Sequence, residues 1–197
     1  MRHSLNFGAI LVATALAAAC TQDAPTAVDA SESTLFAKGG NSENTSAWMN
    51  QQLAAVRKAT ARFHQVEVAL QEGYTSTVVC VARPGVGAMG VHYNNRPLIR
   101  DATYDPLRPE VLVYEPQKNG QFKLVAVEYL IFRAAWEAAG NTGDPMFGDV
   151  PFVRAFGPAA HGAADHYELH VWLWKHNPAG MFAQWNPQVS CPSQTAH

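Results

Sequence analysis

The stretch that decides the fold is His166-Tyr167-Glu168-Leu169-His170-Val171-Trp172-Leu173-Trp174. Side chains alternate between the two faces of a β-strand, and this pattern predicts a strand over 166–175. One face carries the core residues Tyr167, Leu169, Val171 and Leu173. The other carries His166, Glu168, His170, Trp172 and Trp174. Imidazole, carboxylate and indole groups on one face are typical of the wall of a binding pocket that is both polar and aromatic.

The histidines and the glutamate of that face are candidate metal ligands. Residues two apart on a strand are about 6.5–7 Å apart, so an adjacent pair can converge on one ion. We do not expect His166, Glu168 and His170 to bind one ion together, because the outer two are about 13 Å apart. A site therefore uses an adjacent pair, or His170 with ligands from elsewhere. Imidazole and carboxylate favour a divalent transition metal, Zn²⁺ first, with Cu or Fe as alternatives.

The remote ligand candidates are His92, Glu128 and His176. Glu128 lies within the apolar run 124–131, where an unpaired carboxylate would be costly. A metal ion, a histidine or Arg133 could be its partner. We expect a pocket with His166, Glu168 and His170 on one wall and His92 and Glu128 opposite.

Two alternatives to a metal site stay open. These side chains can instead be hydrogen-bonded residues of a sheet face, with no metal. They can also form an organic-ligand pocket, in which Trp172, Trp174 and His176 would contact the ligand.

The rest of the domain predicts an α+β fold, in which one long N-terminal helix packs on a mainly antiparallel sheet with long Gly/Pro-rich loops. Apolar residues recur at helical spacing from Trp48 to Glu72, and Gly73 is the expected stop. Strands are expected at 75–82, 111–114 and 122–132, with a tight turn at Asn119-Gly120. A short helix is expected at 134–139, and loops at 84–97 and 141–164.

The glycines at 85, 87 and 90 match G-x-G-x-x-G directly after a predicted strand. That fingerprint binds a dinucleotide only when a helix opens on its last glycine. Here Val91-His92-Tyr93 looks extended and Pro97 follows soon after. We therefore interpret the segment as a loop that delivers His92 to the sheet.

The N-terminus has the pattern of an export signal. A short apolar run ends at Leu16-Ala17-Ala18-Ala19-Cys20, which is similar to a bacterial lipobox. We expect a signal peptide at 1–19, a lipid on Cys20 (or, alternatively, plain secretion) and a flexible tether over 20–46. One domain should follow at 47–192, with a tail at 193–197. Such a protein would be exported and held at the membrane by its lipid alone.

Cysteine usage agrees with export. The chain has 3 cysteines, and if Cys20 carries lipid, Cys80 and Cys191 are left to pair as a disulfide. A redox or metal role would call for a C-x-x-C partner, and neither of these cysteines has one.

Charge limits the possible partners. Lys plus Arg is 14 and Asp plus Glu is 16 among 197 residues, a formal net charge of −2. This near-neutral balance argues against nucleic acid as a partner, because phosphate neutralisation needs a basic face. We expect a metal ion or a small molecule as the partner.

Several segments resemble a family of exported, uncharacterised bacterial proteins. These are Met89–Tyr93, Pro109–Glu115, Leu124–Tyr129 and His166–Phe182, and the most specific part is Leu169–Pro178. The resemblance covers most of 59–192 and implies export without an assigned activity.

The order of motifs is also similar to that of plant oil-body-associated proteins. His92, Tyr114-Glu115, Val127-Glu128-Tyr129 and the pair His166/His170 occupy the corresponding places. Ala126 replaces the glycine of that pattern, and the export signal is a further departure. The similarity implies that His92, Glu128 and the later histidines are neighbours in the fold.

The hypothesis favoured by the sequence is an exported, lipid-anchored protein that binds a metal ion or small ligand in a pocket lined by His, Glu and Trp. A second hypothesis is a metal-dependent envelope enzyme, a hydrolase or oxidoreductase, with Glu128 or Glu168 as general base. A third is a structural envelope protein that contacts carbohydrate through its tryptophans.

Overall fold

The structure is a computed structural model that describes residues 47–76, 79–156 and 164–191. The predicted signal peptide, the tether with Cys20 and the tail at 193–197 lie outside the described residues, so these domain limits stay predictions. Within the described ranges, no helix has the length and apolar character needed to cross a membrane.

Short helices and strands alternate along the described chain. The helical segments are α1 (Ala47–Thr60), a 3-10 turn (Ala61–His64), α2 (Val66–Gln71), α3 (Arg96–Arg100) and α4 (Arg133–Ala138). The strands are β1 (Tyr74–Thr75), β2 (Cys80–Arg83), β3 (Gly87–Asn95), β4 (Val111–Pro116), β5 (Phe122–Phe132), β6 (Met146–Phe147), β7 (Val150–Pro151), β8 (Val153–Ala155) and β9 (His166–Val171).

Seven of these strands form one antiparallel sheet. Its order is β1-β3-β4-β5-β9-β8, and β2 also pairs with β3, while β6 and β7 form a separate hairpin. The mixed α+β architecture with an antiparallel sheet is therefore confirmed.

The central strand β5 explains why the sheet is buried on both faces. Its residues from Leu124 to Ile131 are all at most 6% exposed, and β4 and β9 pair with it on either side. A near-continuous apolar run is what a strand covered on both faces needs. The turn before it is also as predicted: Gly120 has a φ of 79°, and Gln117 N–H donates to the Gln121 carbonyl.

The two faces of the sheet belong to two separate apolar clusters. The first core lies against α1, the 3-10 turn and α2, and it includes Met49, Leu53, Val56, Phe63, Leu112, Val127, Tyr129, Tyr167, Leu169 and Val171. The second core includes Val111, Val113, Val125, Ala126, Leu130, Trp172 and Val189. Successive residues of β4 alternate between the two cores, as strand geometry requires. The predicted core face of Tyr167, Leu169, Val171 and Leu173 is confirmed, since all four belong to the first core.

The prediction of one continuous helix over 48–72 is wrong. α1 ends at Thr60, a 3-10 turn follows, and Gln65 is extended before α2 begins. Tertiary contacts of Phe63 accompany the break: its ring meets Tyr74 edge-on, and its carbonyl accepts a hydrogen bond from the Tyr114 hydroxyl at 2.6 Å. That carbonyl would be occupied within a continuous helix.

The predicted loop at 84–97 is also wrong, because most of it is strand β3. A Cβ at Gly90 would lie 2.6 Å from the Tyr114 carbonyl oxygen, and one at Gly87 would lie 2.6 Å from that of Asn186. Both glycines have positive φ values. They therefore permit close backbone approach within the sheet, a use of glycine that composition alone does not separate from a loop.

The ends of other predicted elements differ less from those in the structure. The predicted strand 166–175 ends at Val171, after which Trp172 N–H donates to the Met181 carbonyl. The predicted strand 75–82 appears as β1 and β2, and residues 77 and 78 lie outside the described ranges. The region 141–164 contains the short strands β6, β7 and β8, so it is not one long loop.

The disulfide Cys80–Cys191 is confirmed, with the two Cα atoms 5.6 Å apart. Cys80 begins β2, where it pairs with Val91 of β3. The bond therefore ties the C-terminal segment to the edge of the sheet, across a separation of 111 residues.

Loss of this crosslink should destabilise the fold. In the chain-entropy model, a loop of this length contributes about 4–5 kcal/mol to the free energy of unfolding. We expect the double variant Cys80→Ser/Cys191→Ser to lose most of that amount in urea unfolding. Wild-type protein under strong reductant is the matched control and should show the same midpoint as the double variant. An unchanged midpoint in both would contradict the structural role.

Candidate metal centre

Strand register brings three of the predicted ligands onto one face of the sheet. Glu128 of β5 pairs directly with His170 of β9. His92 of β3 pairs with Val113 of β4, and Val111 of β4 pairs with Glu128. Because Val111 and Val113 both belong to the second core, all three polar side chains lie on that face.

The three side chains converge on one point. His92 Nε2 lies 3.3 Å from Glu128 Oε2, and His170 Nε2 lies 3.7 Å from the same oxygen. The two imidazole rings are perpendicular, with centroids 5.7 Å apart. One ligand atom from each residue lies within 4.8 Å of the other two, so the group can hold a metal ion. It is the only such group among the described residues.

The Glu128 carboxyl is unusually placed for a charged group. Its side chain is 1% exposed, and neither oxygen accepts a hydrogen bond from a described residue. Burial, followed by the nearby carboxyls of Glu168 and Glu110, raises the pKa of Glu128 well above its ordinary value. A carboxylate at this position therefore requires compensation by positive charge.

His166 and Glu168 were predicted as ligands, but they pair with each other instead. His166 Nε2 lies 3.2 Å from Glu168 Oε2, and both side chains are almost fully buried. His166 Nδ1 lies 2.7 Å from the Ala164 carbonyl oxygen, which can only accept a hydrogen bond. Burial alone would lower the pKa of His166, but the hydrogen bonds to Glu168 and to Ala164 raise it above its ordinary value.

Two residues that sequence reasoning missed complete this pair. The Gln184 amide donates to the other oxygen of Glu168, and Trp185 Nε1 donates to Gln184 Oε1 at 3.0 Å. Glu168 therefore has both oxygens occupied, in contrast to Glu128. The sequence points to Gln184 only indirectly. A buried carboxylate needs hydrogen-bond donors, but residue spacing does not identify the residue that supplies them.

The predicted pocket wall is arranged differently from the prediction. Glu128 and His92 are neighbours of His170 within one sheet, so they do not lie opposite it across a pocket. Trp172 stacks near the His170 ring, with centroids 6.2 Å apart and planes at 20°. It is 2% exposed, and its Nε1 donates to the Ala183 carbonyl. Trp172 therefore packs beside a candidate ligand and offers no open stacking surface.

Trp174 and His176 lie away from the three converging side chains. Trp174 packs with the first core, and its ring meets His64 at a centroid distance of 4.4 Å. His176 is exposed, and its backbone carbonyl accepts a hydrogen bond from the Asn186 side chain. The two tryptophans thus belong to different cores, which removes the shared platform expected for a sugar.

One cleft of about 900 Å³ lies at the β4–β5 turn. It is lined by polar side chains that include Lys118, Lys123 and Lys175, and Lys175 is paired with Glu115 at 2.7 Å. None of the predicted metal or ligand residues lines it. The cleft and the converging side chains are therefore separate features.

The three converging side chains and the His166–Glu168 pair should have separate roles, which substitution can test. Removing one partner of a buried ion pair costs about 3–5 kcal/mol, so we expect Glu168→Gln to lower the free energy of unfolding by that order. Metal stoichiometry, measured on the same preparation, should not change.

The exposed pair Arg133–Glu137 provides the control. Glu137→Gln should cost less than about 1 kcal/mol, as surface pairs do. A stable Glu168→Gln variant that binds no metal would show that Glu168 is itself a ligand.

A third buried carboxyl, Glu110, makes stability depend on pH. Burial raises its pKa to about 8, and a hydrogen bond from the Leu130 amide only partly opposes this. The folded state then holds a proton that the unfolded chain releases near pH 4.5, so stability falls as the pH rises from there to about 8. We expect Glu110→Gln to flatten this slope in urea unfolding measured at several pH values. Exposed Glu67→Gln is the control and should keep the wild-type slope.

Comparison of the chain with protein-family models, with curated proteins and with solved structures found no match. The resemblances described from the sequence therefore stay predictions, and the site has to be interpreted from its own geometry and chemistry.

Proposed function

We propose that the protein binds one divalent transition-metal ion through His92, Glu128 and His170. The observation that carries this proposal is the convergence of three ligand atoms within 4.8 Å of one another. Three elements far apart in sequence supply them, so local sequence alone does not explain the cluster.

Electrostatics support a cation at this point. Two imidazole nitrogens approach one oxygen of Glu128, and the longer of the two distances, 3.7 Å, is beyond hydrogen-bonding range. A divalent ion between these atoms would offset the cost of burying the carboxylate. The fully hydrogen-bonded Glu168 close by shows how this fold satisfies a buried carboxylate without a metal.

The donor set favours Zn²⁺ and keeps iron as the alternative. Two histidines and one glutamate occur as ligands of catalytic zinc, and two histidines with one carboxylate also hold non-haem Fe(II). Neither of the two cysteines that the structure describes offers a thiolate, since Cys80 and Cys191 are joined to each other. We place Zn²⁺ first, because imidazole and carboxylate both suit it and it needs no redox partner.

We further propose that the protein works outside the cytoplasm, anchored by a lipid on Cys20. The Cys80–Cys191 disulfide supports export, because such bonds persist in oxidising compartments. The lipid itself rests on the sequence before Cys20. Mass spectrometry of the mature N-terminus tests it: a diacylglyceryl group on Cys20 supports the anchor, and an unmodified Cys20 contradicts it.

Metal binding is tested on untagged, full-length protein by elemental analysis and thermal unfolding. We expect about one metal ion per chain. A ligand at 100 times its dissociation constant stabilises by about 2.7 kcal/mol, so adding Zn²⁺ to stripped protein should raise the Tm by several degrees.

Substitutions then assign the ligands. His170→Ala should weaken metal binding more than about 100-fold, because even outer-shell changes cost 10–100-fold. His176→Ala is the matched control, since that histidine is exposed and away from the cluster, and it should bind metal normally. Equal loss in both variants, or no metal in wild-type protein, would overturn the proposal.

A further inference from the structure

We infer that the metal held by His92, Glu128 and His170 takes a small monoanion as an additional ligand, so that the centre binds an exogenous acid group. This inference rests on the proposed function and deepens it, because it names the class of ligand that the metal would bind.

With only three protein ligands among the described residues, the metal would keep a coordination position for the anion. Among the described residues, one group can hold a metal, and it has three members. Structural zinc sites are usually closed by four protein ligands, whereas sites with three keep a position for water or substrate. His166 and Glu168 do not supply a fourth donor, because they are engaged with each other, with Ala164 and with Gln184.

The charge of the site favours an anion in that position. A divalent ion with one carboxylate and two neutral imidazoles leaves a net charge of +1. His166 Nδ1 faces the Ala164 carbonyl, so the hydrogen bond between His166 Nε2 and Glu168 Oε2 needs a second proton, and with it the pair has no net charge. The second core around the site contributes apolar side chains such as Val111, Val113 and Trp172, which screen charge poorly. A monoanion makes the centre neutral, whereas a neutral ligand leaves a buried charge.

Exposure indicates the side from which a ligand arrives. The His92 side chain is 11% exposed, against 1% for both Glu128 and His170. The ligand nitrogen of His92 is itself buried, so solvent touches only the rest of this side chain. A small ion would therefore enter past the His92 ring, on the β3 side.

The test uses Co²⁺ in place of the native metal in untagged, full-length protein. Visible absorption of the Co²⁺ centre is followed while azide, acetate or acetamide is added. Acetate and acetamide are nearly the same size and differ in charge, so they separate the charge argument from simple access. We expect saturable spectral changes with azide and with acetate, and none with acetamide at equal concentration.

Two outcomes would overturn the inference while leaving metal binding intact. One is an unchanged spectrum in azide and acetate, which would mean that the coordination sphere is closed. The other is a response to acetamide as strong as that to acetate, which would mean that charge does not select the ligand. Failure of Co²⁺ to bind at all would instead overturn the proposed function, and this inference with it.

A matched pair of variants adds a second measurement. His92→Asp introduces another carboxylate ligand and makes the metal centre neutral, whereas His92→Asn has a similar size and leaves the charge at +1. In the Co²⁺-loaded variants, we expect azide binding to the Asp variant to be at least about tenfold weaker than to the Asn variant, given the size of unit-charge interactions at a partly buried site. Equal azide affinity in the two variants would contradict the charge argument, and the wild-type titration decides the question independently.

Discussion

The buried carboxyl of Glu128 is the constraint on which the polar face of the sheet depends. It lies on the central strand, between two strands that are themselves covered, and only 1% of its side chain is exposed. A group of this kind is tolerated only where neighbouring elements supply positive charge or hydrogen bonds. His92 and His170, on strands to either side of β5, place a ring nitrogen 3.3 and 3.7 Å from its Oε2, where the proposed cation would supply the charge.

Antiparallel pairing determines which residues of these strands face one another. His170 is the direct partner of Glu128, and His92 reaches it across β4, which presents the small side chains Val111 and Val113 on that face. A slip of one residue in either pairing would turn an imidazole toward the first core. The apolar alternation along β4 and β9 fixes the register, so the residues that build the core also place the candidate ligands.

Much of the fold could be predicted from the sequence, because its main signals are local. The run in β5, the Asn119-Gly120 turn and the alternation in β9 each specify structure within a few residues. The failures occur where distant contacts decide: Phe63 interrupts the helical pattern by meeting Tyr74 and Tyr114, and Gly87 and Gly90 serve close backbone approach. Neither effect is visible in spacing or composition.

The candidate site, too, could be predicted where local residue chemistry decides and could not where distant contacts decide. Residue chemistry selected His92, Glu128 and His170, but it could not separate them from His166 and Glu168. That distinction depends on which donors reach each carboxyl, and Gln184 reaches Glu168 from a segment with no regular pattern. Strand alternation also failed beyond Val171, where the chain leaves the sheet and directs Trp172 and Trp174 into different cores.

The Cys80–Cys191 bond joins the C-terminal segment to the strand next to the candidate ligands. Cys80 is paired with Val91, the residue before His92, while Cys191 and Val189 pack with the second core. Thiols in the cytosol are kept reduced, so a chain held there would lack the covalent link between its C-terminal segment and the strand beside His92. The cover over the second core would then depend on packing alone, so the redox state of the compartment bears directly on how firmly this face is closed.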